Sequence, residues 1–317
     1  MRPPAFWARD GGLPRLLSPA SAVVARVTAR RMTRPGWQAP VPVLCVGNAG
    51  VGGAGKTTVV LDLARRLVAH GVAVHCLTRG YGGRVDGTMR VDPARNRAAL
   101  VGDEPLLLAA VAPTWVGRDR AASARAAIVA GAQALLMDDG LQNPGLAKTS
   151  SLLVIDGAVG FGNGRVLPAG PLRETAAAAA ARCRAGVMIG EDRTGAARAL
   201  AGLPVLEASL VPVMRLDGAP VFAFCGIARP TKFFDTLIAA GGVILGRMAF
   251  ADHHPFSSGE VDRIMAAAAR LGARPITTAK DAVRLPAEVR ARVDVFEIRL
   301  AWRDPSQIER MLADVIG

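Results

Sequence analysis

The chain has 317 residues, half of them hydrophobic, with 35 glycines, few aromatics and a formal net charge of +13. That length and apolar content provide cores for two domains of ordinary size and exclude a disordered polypeptide. No stretch approaches the roughly 20 uninterrupted apolar residues of a membrane span, and Arg and Pro recur where a signal peptide would be apolar. The reading is a protein of the cytoplasm or of the cytoplasmic face of a membrane. Cys45, Cys76, Cys183 and Cys225 are far apart and form no CxxC pair, so buried free thiols in a reducing compartment are expected.

Residues 1–35 form a basic segment: seven arginines precede residue 40 against one acid, Asp10. Ser18-Pro19 reads as an N-cap followed by Pro at the first helical position. Ala20, Val23, Val24 and Val27 then share one helical face, with Arg26, Arg30 and Arg34 on the adjacent stripe. The pattern fits a helix lying on a membrane surface and equally a helix packed on the protein's own core.

From residue 42 strands and helices alternate, which predicts a parallel sheet flanked by helices over 36–204. Strands are expected at 42–47, 72–78, 133–138 and 151–156, with helices near 56–70, 104–111, 119–130 and 173–184. Residues 157–172, "GAVGFGNGRVLPAGPL", form a loop too long for a simple connector, of the kind that makes lids or ligand contacts. Residues 205–219 read as a linker, and 220–317 as a smaller α/β domain with strands at 220–226, 243–250, 275–278 and 294–300. Its helices fall near 231–240, 258–271 and 305–315. The fold class is therefore α/β, a P-loop NTPase-like parallel sheet domain followed by a smaller α/β domain.

"GVGGAGKT" (50–57) satisfies G-x-x-x-x-G-K-[ST] with a strand before it and a helix after it. The glycines let backbone N–H groups turn toward phosphate oxygens, and the helix adds its positive end. Gly50, Val51, Gly52, Gly53, Ala54, Gly55, Lys56, Thr57 and Thr58 are thus candidate nucleotide-binding residues. Lys56 would neutralise the β- and γ-phosphates, and the Thr57 hydroxyl would face Mg²⁺. A nucleoside triphosphate is the ligand to expect. The metal also needs an acid on a neighbouring strand, and "ALLMDDG" ends in Asp138 and Asp139. Asp138 is read as the helper of the metal shell, and Asp139 as a second metal contact or a turn-forming Asp.

Three further polar patches exceed what a plain α/β domain requires: "TRGYGG" (78–83), "GDEP" (102–105) and "DHHPF" (252–256). Asp103 reads as a helix N-cap or as a base, and the His253–His254 pair as a solvated turn ahead of a capping box or as its partner. Spacing alone leaves both open.

Taken in order, "VGNAGVGGAGKT", "TRGYGG", "GDEP", "DDGLQN", "GRVLPAGPLRE", "FCGIARP", "FADHHPF" and "TTAKDAVRL" resemble the tetraacyldisaccharide 4'-kinase family across both domains. The resemblance implies a kinase of lipid A biosynthesis that uses ATP and Mg²⁺. Its acceptor would be the 4'-hydroxyl of a tetraacyldisaccharide 1-phosphate, met at the cytoplasmic face of the inner membrane. It implies that residues 1–34 touch that membrane, with neither nucleic acid nor a protein as partner. It further implies Asp103 and His253 as the catalytic pair, with Lys56, and Glu174 beside Thr57, Asp138 and Asp139 near the metal. Arg79, Tyr81, Asn143 and Arg173 become candidate substrate contacts. Departures from the family pattern fall at Ala54, Thr58, Leu141, Asn143 and Ala279 and remove no phosphate, metal or base group.

Rival classes fit less well. A partitioning or metal-insertion ATPase carries Lys immediately before the paired glycines, where this chain has Val51; a GTPase needs N-K-x-D, and here Lys280 falls one place too late. A nucleic-acid-binding ATPase would interleave aromatics with its basic residues, and this chain does not.

Overall fold

The computed structural model describes residues 4–200 and 202–316. Among the described residues thirteen strands form two sheets. They are β1 (Val43–Gly47), β2 (Val74–Thr78), β3 (Thr88–Arg90), β4 (Thr114–Gly117), β5 (Ala134–Asp138), β6 (Ser150–Asp156), β7 (Ala185–Ile189), β8 (Val205–Pro212), β9 (Pro220–Cys225), β10 (Val243–Ala249), β11 (Arg274–Thr278), β12 (Asp294–Phe296) and β13 (Ile298–Trp302). The first half of the chain carries helices α1 (Gly12–Leu16), α2 (Ser18–Met32), α3 (Lys56–Ala69), α4 (Ala98–Val101), α5 (Asp103–Ala109), α6 (Arg120–Val129) and α7 (Ala176–Ala180). The second half adds α8 (Pro230–Ala239), α9 (Ser258–Arg270), α10 (Ala279–Ala282), α11 (Ala287–Arg290) and α12 (Pro305–Ile316).

The larger sheet has the order β13-β8-β7-β6-β1-β5-β2-β4-β3. Its interior pairings are parallel, and β3 and β13 close the edges in antiparallel sense. Strands β1, β2, β5, β6 and β7 are buried along their whole length, which is why they read as near-continuous apolar runs rather than alternating ones. One face is covered by α3 and α12, where Val59, Leu63 and Leu67 meet Ile308, Met311 and Leu312. The other is covered by α6, α7 and the irregular segments around Leu141, Leu146, Val166 and Leu172. The smaller sheet, β10-β9-β11-β12, is all parallel. Phe233, Phe234 and Leu237 of α8 pack on one side of it, and Val261, Ile264 and Ala268 of α9 on the other.

The chain departs from the sequence expectation at the domain boundary. Residues 205–212 are not linker: β8 pairs with β7 in register Val187↔Leu206 and extends the larger sheet. The expected strand at 294–300 divides at Glu297, β12 pairing with β11 in the small sheet and β13 with β8 in the large one. Residues 298–316 thus belong with the first domain. Local pattern cannot assign a strand to a sheet, since either sheet offers an apolar face.

Two helices also differ. The expected helix at 173–184 shrinks to α7 because Leu172 and Arg173 are held beside the phosphate loop, by a bridge from Leu172 to Gly50 and a bond from the Arg173 N–H to the Ala49 carbonyl. Ser18 is not an N-cap. The preceding turn, α1, leaves the Pro14 carbonyl needing a donor, and the Ser18 hydroxyl supplies it at 3.0 Å. Helix α2 packs by one face only. Its buried Ser21 donates to the Val166 carbonyl at 2.7 Å, while Val23 and Val27 on the outer side and Leu13 and Leu16 upstream stay exposed. The long loop therefore braces α2 against the phosphate loop; its Pro171 carbonyl accepts from the Val51 N–H at 2.8 Å. All four cysteines are free thiols, three of them buried.

Candidate active site

The loop between β1 and α3 carries the phosphate-binding pattern at the carboxyl end of the central strands, where open parallel sheets place ligands. Gly55 adopts φ +86, a conformation that favours glycine, and a Cβ there would lie 2.6 Å from Ile189 Cδ1, the tip of a side chain that would have to turn away. Gly52, at φ +114, turns the exposed tip. Lys56 opens α3, and its ammonium donates to Asn48 Oδ1 at 3.0 Å with Asp139 Oδ1 3.6 Å away. Thr57 follows, half-buried at the helix N-terminus.

Asp138 ends β5, the strand beside β1, with its side chain buried and Oδ1 without a hydrogen-bond partner. Burial, then the neighbouring Asp139 charge, pushes its carboxyl up to about 7. Asp139 sits in the left-handed region at φ 51 and forms a forked ion pair with Arg173, with contacts of 3.1 to 3.2 Å. Burial works against its ionisation, but Lys56 and Arg173 outweigh it and hold the carboxyl below the usual range. Glu174 is buried with both oxygens engaged: Arg182 donates to them at 2.6 and 2.7 Å, and Gln142 to Oε1 at 2.8 Å. Gln142 in turn donates to the Asn48 carbonyl and accepts from Arg173.

Where the large domain meets the small one, Asp103 begins α5 and is buried. Gly102 before it has φ +93, and a Cβ would stand 2.7 Å from the Tyr81 carbonyl, so the "GYGG" turn and the start of α5 are fitted together by glycines. His253 arrives from the small domain on the turn after β10, itself at φ 58, and places Nδ1 2.7 Å from Asp103 Oδ2. That hydrogen bond raises the imidazole pKa. Burial opposes ionisation of Asp103, but His253 and Arg284 together lower its pKa. Further ion pairs join the domains: Lys280 with Glu104 Oε1 at 2.6 Å, and Arg229 and Lys232 with Asp156 Oδ2 at 3.1 and 4.0 Å. Glu104 Oε2 is the second buried carboxylate oxygen here without a partner, and its charge acts on Asp138.

The sequence-derived residues thus fall into two groups. Lys56, Thr57, Asp138 and Asp139 gather at the phosphate loop, and Asp103 and His253 meet where the two domains touch. Arg173 and Glu174 sit behind Asp139 in a network of paired charges. Tyr81 is exposed, its ring centroid 5.7 Å from that of His253, and Arg79 is exposed beside it. Asn143 Oδ1 accepts from the Gly145 N–H at 3.0 Å and so shapes a turn. His254 pairs with Glu260 at 3.0 Å inside the Ser257 capping box, which leaves His253 as the partner of Asp103. Residue-by-residue reasoning missed Arg284, Lys280, Gln142 and Glu104. Only their place in family motifs could have drawn attention to them, because none has a local pattern of its own.

The buried, unpartnered Asp138 Oδ1 and the Thr57 hydroxyl at the start of α3 are hard oxygen donors of the kind a divalent cation takes. Among the described residues no three His, Cys, Asp or Glu side chains converge on one point. Such a cation would need phosphate or water to complete its shell, as Mg²⁺ does at nucleotides.

A parallel sheet with a phosphate loop after β1 and an acid at the end of the adjacent strand define a P-loop protein of the α/β class. The family model described as Tetraacyldisaccharide-1-P 4'-kinase matches residues 13–317. The Tetraacyldisaccharide 4'-kinase of Rhodospirillum centenum is 54% identical over 100% of this chain and 97% of its own length. That of Gluconacetobacter diazotrophicus is 58% identical over 98% of this chain and 97% of its own. A crystal structure of LpxK from Aquifex aeolicus in complex with ATP shares the fold, with a TM-score of 0.78 at 24% identity, covering 96% of this chain and 100% of that one. The chain belongs to the tetraacyldisaccharide-1-P 4'-kinase family.

Proposed function

We propose that this chain transfers the γ-phosphoryl group of ATP to the 4'-hydroxyl of a tetraacyldisaccharide 1-phosphate. The observation that carries the reading is the bond between Asp103 of the large domain and His253 of the small one. It lies beside Glu104, whose charge reaches Asp138, which in turn feels Lys56 of the phosphate loop. In this reading the donor-phosphate and acceptor-hydroxyl groups meet where the two domains touch.

In this reading the loop amides and Lys56 hold the β- and γ-phosphates. Thr57 and Asp138 would hold Mg²⁺, which would supply charge neutralisation on the phosphate oxygens. Asp103 accepts the proton of the acceptor hydroxyl as its oxygen bonds to the γ-phosphorus; the bond from that phosphorus to the β-bridging oxygen breaks, and ADP leaves with the electron pair. Because Asp103 is kept ionised, its part is to orient and deprotonate the hydroxyl late, as suits a loose phosphoryl-transfer transition state. His253 holds the carboxylate in place from the other domain, so the pair is complete only while the domains are docked.

A lipid acceptor accounts for α2. Leu16 is 76% exposed and Val27 60%, beside Arg26, Arg30 and Arg34 on the same segment. Apolar side chains flanked by arginines suit the surface of an anionic leaflet, so we place the enzyme on the cytoplasmic face of the inner membrane. No helix among the described residues is long and apolar enough to cross one.

The test is transfer of label from γ-labelled ATP to a tetraacyldisaccharide 1-phosphate in detergent micelles, with and without Mg²⁺. Labelled lipid that requires the metal supports the reading. Release of free phosphate with no labelled lipid sinks it.

A further inference from the structure

We propose that Arg284 is the positioning residue of the Asp103–His253 pair, selecting the carboxylate oxygen that meets the acceptor hydroxyl; the proposal rests on the reading of Asp103 as the hydroxyl's acceptor. Arg284 lies just past α10 in the small domain and reaches into the large one. Its Nε donates to Asp103 Oδ1 at 2.9 Å and its Nη2 to Oδ2 at 2.5 Å, a side-on fork. Both side chains are buried, 5% and 6% exposed.

A carboxylate has about four lone-pair positions, two on each oxygen. Oδ2 accepts from both His253 and Arg284 and is filled; Oδ1 accepts from Arg284 alone. One lone pair, on Oδ1, is left for an incoming hydroxyl. His253 and Arg284 thus close one oxygen and aim the other. The fork fixes the carboxylate plane as well, which a point cation could not do.

The guanidinium is itself anchored. Its Nη1 donates to Asp281 Oδ1 at 3.0 Å and to the Gly226 carbonyl at 3.1 Å. Asp281 is fully buried, accepting from the Gly226 N–H at 2.9 Å and from the Thr278 hydroxyl at 2.6 Å. The anchor therefore runs from the first strand of the small sheet, through the turn after its third, to Asp103. Undocking of the domains would remove the fork and the imidazole together, leaving a carboxylate free to rotate.

The charged groups around Asp103 come from three elements. Glu104 lies on α5 itself; Asp252 and His253 lie on the turn after β10; Lys280, Asp281 and Arg284 lie on α10 and just beyond it. Of these only Arg284 and His253 bond the carboxylate.

The test compares Arg284→Lys and Arg284→Met in the full-length enzyme with ATP and micellar lipid, reading kcat, both KM values and the pH dependence of kcat. Both variants should lose roughly a hundredfold in kcat, the loss that misplacement by about 1 Å brings, while KM for ATP stays near wild type. Arg284→Met should move the acid limb of the profile to higher pH. Arg284→Lys, which keeps the charge but not the fork, should return the limb toward wild type without restoring kcat.

A merely structural tie would lower the melting temperature yet leave kcat per folded molecule and the acid limb unchanged, and that result overturns the proposal. If the Met variant does not fold, wild-type kcat in the Lys variant overturns it equally. Asp103→Asn separates the two levels: full lipid phosphorylation in that variant removes the underlying reading, whereas an inactive Asp103→Asn beside a fully active Arg284→Met removes only this one.

Discussion

His253 Nδ1 lies 2.7 Å from Asp103 Oδ2, and the bond joins residues 150 apart, one from a helix of the large domain and one from a turn of the small one. The aspartate's pKa is lowered and the histidine's raised. The aspartate's contribution to docking is thus present above its unfolded value, about 3.9, and is lost as pH falls through the lowered folded one. The histidine's is complete below about 6.5 and is lost as pH rises through the raised folded one. The difference in melting temperature between wild type and His253→Ala should therefore be largest in mildly acidic buffer and shrink above neutrality. A difference that grew with pH would mean that the imidazole is not charged in the docked state. In turnover, Asp103→Asn and His253→Ala should each lose about 10²- to 10⁴-fold in kcat, the range for a general base.

Asp138 gives a second pH dependence, of opposite direction. Its carboxyl is pushed up to about 7, so near neutrality a proton competes with any cation for its free Oδ1. Apparent Mg²⁺ affinity in the presence of ATP should rise as pH is raised through about 7, and Asp138→Asn should flatten that rise while weakening the metal. Mg²⁺ titrations of ATP turnover at pH 6, 7 and 8 would measure it. An unchanged slope in the Asn variant would move the metal away from Asp138.

How much of this was legible depended on distance along the chain. The phosphate loop is a contiguous pattern with its strand and helix attached, and Asp138 is the acid that ends an apolar run; both can be read without a partner. Asp103 and His253 are individually ordinary, and only the family resemblance paired them. Arg284, 181 residues from Asp103, reads locally as one more arginine after a short turn. Glu174 drew attention as an acid near the metal, yet its burial calls for compensation, and Arg182 and Gln142 provide it. Sequence marks which side chains are costly to bury but not which partner meets the cost.

Gly55→Ala tests the loop's geometry. At φ +86 the substitution strains the backbone, and the added methyl also requires the tip of Ile189, 2.6 Å away, to turn aside. It should destabilise the protein by about 1–3 kcal/mol and weaken ATP binding, whereas Gly53→Ala, with open space around it, should do much less. Equal effects in the two variants, by thermal melts and nucleotide titration, would contradict the geometry.

The exposed apolar side chains of the N-terminal segment separate membrane contact from packing. Leu16→Glu with Val27→Glu alters only side chains that stand in solvent, so the melting temperature should stay within a degree or two of wild type. Binding to anionic vesicles, followed by sedimentation, should drop several-fold. Replacement of Ser21, whose hydroxyl bonds Val166 and Ala169, should do the reverse and lower stability first. Unchanged vesicle binding in the double Glu variant would return the segment to a purely internal role.

The return of the chain to the large sheet has its own consequence. Trp302 of β13 donates to Asp62 of α3 at 2.7 Å, and Ile308 of α12 is fully buried against the same helix's layer. Cutting the chain at 297, where the small sheet ends, removes an edge strand and a covering helix from the phosphate-loop domain rather than trimming the small one. Ile308→Ala alone should cost about 2–5 kcal/mol, and the truncation should abolish the cooperative melt and ATP binding together. Leu237→Ala, buried as deeply but in the small domain's separate core, should loosen that domain's protection from proteolysis while the phosphate-loop domain still binds ATP. A truncated chain that kept a sharp melt and bound ATP would show that β13 and α12 only lean on the large sheet, and the domain would then end at β8.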